Sequence, residues 1–495
     1  MTARTPLCAA QAEALAVRRV DGEAVDWPRY PRRIEKRICH LGVGGFHRAH
    51  QAFVLHQLLQ QGVAAGWGLC GIGLRAADRA IHAALHAQDH LYSLWQVEGS
   101  QRRVTVVGSI MAHLDASEDA GPAIATLADA ATRIVSLTIT EAGYCLDGTG
   151  GLDASHADII HDLAHPQQPR SAAGLLVAGL AARRAADGAG ITLLSCDNLL
   201  ANGERLRSAV LGFAECADPA LALWIATQCS FPCSMVDRIT PATDPVRRAA
   251  YCADWGVQDE ALVMCEPWLQ WVMEDHFVAG RPPYEQAGVQ FSHEVARWEE
   301  AKVGLLNGGH SALAQLGLLR GHVGVHEALA DPLVRQWHAG YMTEVADTLE
   351  PLDGLDYGDY QAALTRRFGN AALDDRLLRL AMDSSGKFPQ VLTAPLCKRL
   401  DVGLAVPHLA MTIALWMHYL ASAESSLAAY VDHDREGLIA RAVEGCARGD
   451  ASAFLARQLP LPTALATHFA LAVNQQLHAL KHDGLEAAIH ALASH

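Results

Sequence analysis

At 495 residues, with 51% hydrophobic and 19% charged side chains, the chain has apolar material for two sizeable cores. It shows neither the composition of a disordered segment nor an apolar run long enough to span a membrane. A formal net charge of −15, with no long Lys/Arg cluster, argues against a nucleic-acid partner, which requires a concentrated basic face.

The opening stretch MTARTPLCAAQAEALAVRRV lacks the uninterrupted apolar core of a signal peptide, so a cytoplasmic protein is expected. The twelve cysteines show no CxxC spacing and read as free thiols acting as small buried hydrophobes. Residues 1–36, including the polar DWPRYPRRIEKR, carry no clear period and read as an irregular lead-in. From Ile38 onward, short apolar runs alternate with helical stretches: ICHLGVG, RAHQAFVLHQLLQQ, WGLCGIGL, AADRAIHAALHAQ, then LYSLWQV and RRVTVVGSI. That βαβ rhythm predicts a parallel sheet. TRIVSLTIT at 132–140 and GITLLSC at 190–196 have the length and β-branched content of further buried parallel strands. Ligands of open α/β sheets sit beyond the carboxyl ends of the strands, which makes Thr140, Glu141, Asp197 and Asn198 site candidates by position. After about residue 290, Ala/Leu-rich segments with helical spacing take over, among them ALAQLGLLRGHVGVHEAL and AVPHLAMTIALWMHYLASAESSLAAYV. The fold class expected is α/β: a domain with a parallel-rich sheet over residues 1–290, then a mostly α-helical domain over residues 291–495.

In ICHLGVGGFHRAHQAF, Gly42 and Gly44 follow a predicted strand and precede a helix, the context in which a glycine-rich turn cradles a pyrophosphate against a helix N-terminus. His47 replaces the third glycine of the usual fingerprint, so the segment reads equally as a structural turn. The second predicted strand ends in Arg75, Ala76, Ala77 and Asp78. An acidic side chain there accepts from ribose hydroxyls and repels a 2′-phosphate, favouring NAD over NADP, while a guanidinium at Arg75 suits adenine stacking or phosphate pairing.

The stretch EEAKVGLLNGGHSALAQLGLL sets Lys302, Asn307 and His310 in an apolar helical pattern. At about 100° per residue, Asn307 lies about 140° and His310 about 80° round from Lys302, which places all three on one side of a helix. Desolvation lowers a lysine's pKa towards working pH, where it accepts a proton from an alcohol. Neutral amides such as Asn307 and Asn198 donate to the developing alkoxide, and His310 orients the reacting oxygen. By spacing alone, the same residues read more simply as a solvated lysine, a helix irregularity beside Gly308 and Gly309, and a core histidine. In SHADIIHDLAHP, His161 and His165 imitate a zinc-protease helix, but Pro166 ends that helix at once and no third ligand follows; they read as solvent-facing histidines, and no metal is expected.

Taken together, GVGGFHRAHQA, SLTITEAGYC, SCDNLLANG, FPCSMVDRITP, EPWLQWVMED and KVGLLNGGH, in this order over roughly residues 38–480, resemble the polyol-specific long-chain dehydrogenases. The resemblance implies a Rossmann-type N-terminal domain, a helical C-terminal domain, NAD as cofactor, metal-free catalysis and a monomer without nucleic-acid or membrane partners. It places the cofactor on Gly42, Gly44, Gly45, Phe46, Arg75 and Asp78. By motif position, Lys302 resembles the family's general base, Asn198 and Asn307 its pair of oxyanion donors, and His310 its substrate-orienting histidine. Asp237 in MVDRITP, Arg379 in RLLRLAMD and Lys387 in SSGKFP match positions that contact substrate hydroxyls or shape the pocket, and Glu141 matches an acidic residue that helps proton exchange with solvent. One departure is DSSGK from Asp383 to Lys387, where the family commonly reads DGSSK. The implied activity is reversible oxidation of a sugar alcohol to a ketose, with mannitol and fructose as the expected pair and D-arabinitol or a hexuronate such as fructuronate as alternatives.

Overall fold

Five of the apolar runs become strands of one sheet: β1 (Lys36–Leu41), β2 (Trp67–Gly73), β3 (Ile110–Asp115), β4 (Thr132–Leu137) and β5 (Thr192–Ser195). The computed structural model of the chain describes residues 5–422 and 425–492. The strands lie in the order β5-β4-β1-β2-β3, and every neighbouring pair is parallel. All seven residues of β2 are buried, as a strand covered on both faces requires. The cover comes from the connecting helices: α1 (Gly45–Ala49), α2 (Gln51–Gln60), α3 (Arg79–Ala87), α4 (Gly121–Ala128), α5 (Ala172–Ala185) and α6 (Asn202–Ala217). Val135 and Leu137 belong to one core with Leu175 and Leu176 of α5 and Val210 and Phe213 of α6; Ile38 and Leu69 belong to another with Val54, Leu55 and Leu58 of α2. This is the Rossmann strand order, whose switch point falls between β1 and β4.

Two expectations fail here. LYSLWQV and RRVTVVGSI do not extend the parallel sheet: Tyr92–Glu98 and Gln101–Val107 form an antiparallel hairpin, joined on its other edge by Val263–Cys265. The cause is the two-residue Gly99-Ser100 connection, with Gly99 at φ +56°, which is a hairpin turn and too short for a crossover. From Thr5 onward the lead-in is also ordered. Thr5–Pro6 pairs in parallel with Val257–Gln258, and Leu7, Leu15, Val20 and Val25 form a small core with Trp95, Val104 and Trp255. Trp255 ends α7 (Pro245–Trp255), whose start is capped by the Asp244 carboxylate.

The chain divides into two compact units between Ala296 and Arg297. The second unit is helical. The division falls within α8 (Val295–Ala301), and Lys302–Asn307 continue it as a π-helical turn before α9 (Gly308–Leu319). Around α9 lie α10 (Pro332–Ala346), α11 (Tyr357–Phe368), α12 (Leu377–Ala381), α13 (Ser384–Asp401) and α14 (Pro407–Leu420). α9 is buried from Gly308 to Leu318, and α14 is apolar and buried over most of its surface, as expected of helices at a core's centre. Among the described residues no helix is long and apolar enough to cross a membrane.

Candidate active site

In the N-terminal unit, the chain leaves β1 and turns at Gly42 with φ +85°. A Cβ there would stand 2.2 Å from the Thr138 carbonyl oxygen just beyond β4, so only glycine passes. The Gly44 N–H donates to the Gly42 carbonyl at 2.7 Å and α1 begins at Gly45. Beside the turn lies a cavity of about 590 Å³ lined by Gly42, Gly44, Arg48, Asp78 and Thr138, at the carboxyl ends of β1 and β4 where a doubly wound sheet takes its ligand. Gly45 is less constrained, since a Cβ on it would meet Val263 at an ordinary 3.7 Å. Phe46 is half-buried, its ring stacked on His50 with centroids 5.0 Å apart.

The expected helix N-terminus is weak: α1 has only five residues and the backbone breaks at His50 before α2. Positive charge at this cavity comes instead from Arg48, which sequence reasoning passed over. Its guanidinium lies 5.9 Å from the Tyr92 ring, and its Nε is buried without a hydrogen-bond partner. A cationic fork at the glycine turn is a suitable phosphate ligand. Asp78 also lines the cavity, but its Oδ2 accepts from the N–H groups of Leu74 and Arg75, both at 3.0 Å, so the carboxylate closes the turn after β2 as well as facing the cavity. Arg75 is exposed, and with Asp78 it lines a second cavity of about 170 Å³. An acidic side chain, an unpartnered buried guanidine nitrogen and a turn that admits no side chain fit a dinucleotide.

Beyond β4, Thr140 adopts φ +63° and ψ 166°, a conformation that non-glycine residues hold only under restraint. The restraint is Asp197. Its buried carboxylate accepts from the N–H groups of Ile139 (3.1 Å) and Thr140 (2.8 Å) and from the Tyr144 hydroxyl (2.7 Å). Burial raises its pKa against the pull of these donors. Asp197 is thus a brace tying the β4 and β5 ends together, and it fixes the loop bearing the exposed Asn198. Glu141 is exposed and paired with Arg205 at 3.2 Å. Asp237 is buried at the end of the strand Ser234–Asp237, and its Oδ2 accepts from Trp268 Nε1 at 3.2 Å.

In the helical unit, Lys302 is buried and opens the π turn, while Asn307, half-buried, closes it. Regular α-helical spacing fails here: Gly308 N–H donates to the Val303 carbonyl, five residues back. Because i→i+5 bonding underwinds the helix, Lys302 and Asn307 stand closer round the axis than the about 140° of α-helical spacing. The turn is pressed against α10, where a Cβ on Gly308 would meet Tyr341 Oη at 2.3 Å and one on Gly309 would meet His338 and Met342 at 3.0 Å.

His310 stacks on Phe368 with ring centroids 3.9 Å apart. Burial, then the fields of Arg379 and Arg367 and more weakly of His338 and Lys387, hold its pKa well below the usual histidine value, so it is a neutral imidazole. Arg379 and Lys387 thus lie within electrostatic reach of His310. Arg379 is exposed and paired with Asp375 at 2.6 Å. The altered DSSGK segment forms the first turn of α13, and the Lys387 ammonium reaches back to the carbonyls of Met382 (2.7 Å) and Leu380 (3.2 Å) at the end of α12. Burial and Arg379 lower the Lys387 pKa. Buried Arg367 and buried Glu299, one helical turn before Lys302, belong to this region and were not singled out in the sequence, because neither lies in a motif with recognisable chemistry. His161 and His165 stack on each other with centroids 4.7 Å apart, and the Asp162 carboxylate between them turns inward to accept from Arg170 and Ser171.

Comparison with known proteins places these constellations in context. The family model of the mannitol dehydrogenase Rossmann domain matches residues 36–286, and that of the mannitol dehydrogenase C-terminal domain matches residues 294–458. A mannitol 2-dehydrogenase of Cereibacter sphaeroides is 39% identical over 398 residues, covering 80% of this chain and 83% of the relative. A D-mannonate oxidoreductase of Escherichia coli (strain K12) is 41% identical over 391 residues, covering 78% and 80%. Among solved structures, the Pseudomonas fluorescens mannitol 2-dehydrogenase in ternary complex with NAD and D-mannitol superposes with a TM-score of 0.86 at 38% identity, covering 99% of this chain and all of that one.

Proposed function

Because the chain belongs to the mannitol dehydrogenase family, we propose that it is an NAD-dependent, metal-independent polyol dehydrogenase interconverting D-mannitol and D-fructose. The observation that supports this reading is the π turn, which opens on a buried lysine and closes on an asparagine three residues before a neutral histidine. When bound, NAD supplies the hydride acceptor for the carbinol carbon. Gly42 and Gly44 let the backbone approach a pyrophosphate, Arg48 pairs with its charge, and Asp78 accepts from a ribose hydroxyl.

Lys302, uncharged in its working form, takes the proton from the reacting hydroxyl. Asn198 and Asn307 donate amide hydrogens to the oxygen as negative charge gathers on it, a contribution that neutral donors make without competing for the proton. His310 holds that oxygen by a hydrogen bond, Asp237, Arg379 and Lys387 engage the other hydroxyls, and Glu141 passes the released proton to solvent.

The test is Lys302→Ala. Turnover is expected to fall by about 10³-fold, within the range for a lost general base, while NADH affinity stays unchanged. Turnover surviving nearly intact would place the base elsewhere, and loss of activity after exhaustive chelation would refute metal independence. A second reading is favoured by the three cations, Arg367, Arg379 and Lys387, whose fields reach His310, since a hexuronate carboxylate would be welcomed there. Comparing kcat/KM on D-mannitol, D-arabinitol and D-mannonate decides between them.

A further inference from the structure

The cavity at the glycine turn has four charged side chains in its lining: Arg48, Asp78, Arg248 and Glu260. Arg48 and Asp78 belong to the pyrophosphate and ribose ends of the dinucleotide reading above, on which this inference rests. Arg248 and Glu260 have no part in it. Arg248 stands in the first turns of α7, and its guanidinium is engaged twice by Glu260: Nη2 pairs with Oε2 at 2.9 Å, and Nη1 donates to the Glu260 carbonyl at 3.2 Å.

Glu260 is held in place by a clamp of its own. Its N–H donates to Gln88 Oε1 at 2.8 Å, and Gln88 Nε2 in turn donates to the fully buried Asp259 at 2.8 Å. Asp259 also accepts from the Ser93 N–H (2.7 Å), the Ser93 hydroxyl and the Ala261 N–H (2.9 Å). The turn bearing Glu260 is thereby bolted to Gln88, the C-terminal cap of the same helix α3 that starts beside Asp78.

The charge balance of the cavity follows. Two carboxylates face two guanidinium groups, and Arg248 is neutralised by a carboxylate whose backbone is fixed beside it. A guanidinium released at this position would offer a planar, two-pronged ligand for a phosphate monoester. We infer that Glu260 is a positioning residue for nucleotide choice: by occupying Arg248 it denies a 2′-phosphate its counter-ion, so the preference for an unphosphorylated ribose rests on Asp78 and Glu260 jointly.

The experiment titrates the full-length chain with NADH and with NADPH by nucleotide fluorescence, which needs no turnover. In Glu260→Gln, which keeps shape and removes charge, the ratio of NADPH to NADH dissociation constants is expected to fall about tenfold, the scale of one charge-assisted pair. Adding Arg248→Ala is expected to erase that gain. A ratio unmoved in Glu260→Gln while NADH still binds overturns the guard and leaves the dinucleotide reading standing. A gain that survives loss of Arg248 also overturns the guard, and a wild-type chain that binds neither nucleotide overturns both readings.

Discussion

Gly42 shows how far one backbone position determines the nucleotide cavity. Its φ of +85° and the 2.2 Å that would separate a Cβ from the Thr138 carbonyl penalise any side chain twice, through backbone strain and through overlap with an atom held by the sheet. Gly42→Ala is expected to lower stability by about 3 kcal/mol in denaturant unfolding and to weaken NADH binding. Gly45→Ala, whose new methyl meets only ordinary contacts, is the control and is expected to stay within about 0.5 kcal/mol of wild type. The sequence marks Gly42 and Gly44 alike, but only Gly42 is sterically restricted: a Cβ on Gly44, whose φ is −81°, would come no nearer than 3.9 Å to the Gly42 carbonyl oxygen. The sequence cannot rank Gly44 and Gly45 below Gly42, since that ranking depends on what lies across the turn. It also does not reveal Arg48, whose importance comes from cavity placement and from a buried nitrogen without a partner. Asp197 is the converse: its position at a strand end made it a ligand candidate, and its carboxylate is used up in bracing Thr140.

At the scale of elements, the π turn is where periodicity misleads. Lys302, Asn307 and His310 do not follow the about 100° spacing, because the i→i+5 bonds alter the winding between Lys302 and Asn307. The signal available was Gly304, Gly308 and Gly309, which mark a close neighbour. That neighbour is α10, and its Tyr341 hydroxyl is buried with no hydrogen-bond partner. Tyr341→Phe is therefore expected to be neutral or stabilising, by up to about 1 kcal/mol, because it removes an unsatisfied polar group. Gly308→Ala alone should destabilise by about 2 kcal/mol through its clash with that oxygen. The double variant should recover part of the loss, and urea unfolding of the four proteins measures the coupling. Additivity of the two changes would mean that the oxygen is not what Gly308 avoids. The hairpin of Tyr92–Glu98 and Gln101–Val107 is legible in Gly99-Ser100, a connection too short for the crossover that the βαβ rhythm requires.

For the molecule as a whole, the buried histidines set its response to acid. Burial lowers the pKa of His40 to about 3 and of His56, His113 and His338 to about 4. These groups are neutral when folded and take up protons on unfolding once pH drops below the ordinary histidine value of about 6.5, so their stabilising contribution is complete above that pH and is lost as pH falls towards 4. Each adds on the order of 1 kcal/mol per pH unit in that window. The urea midpoint is expected to fall markedly between pH 7.5 and pH 5, and a constant midpoint would contradict the burial of these rings. The broad architecture was readable because short, largely apolar runs recur between helical stretches, a rhythm with few other outcomes. The first 36 residues were not, because, apart from the short pairing of Arg19–Val20 with Glu23–Ala24, their partners lie far away in sequence and leave no local period. Pro6 finds Gln258 only after some 250 further residues have been added. At a ribosomal pace of about 5–20 residues per second, this strand waits unpaired for tens of seconds until its partner has been made, so it settles long after it is synthesised.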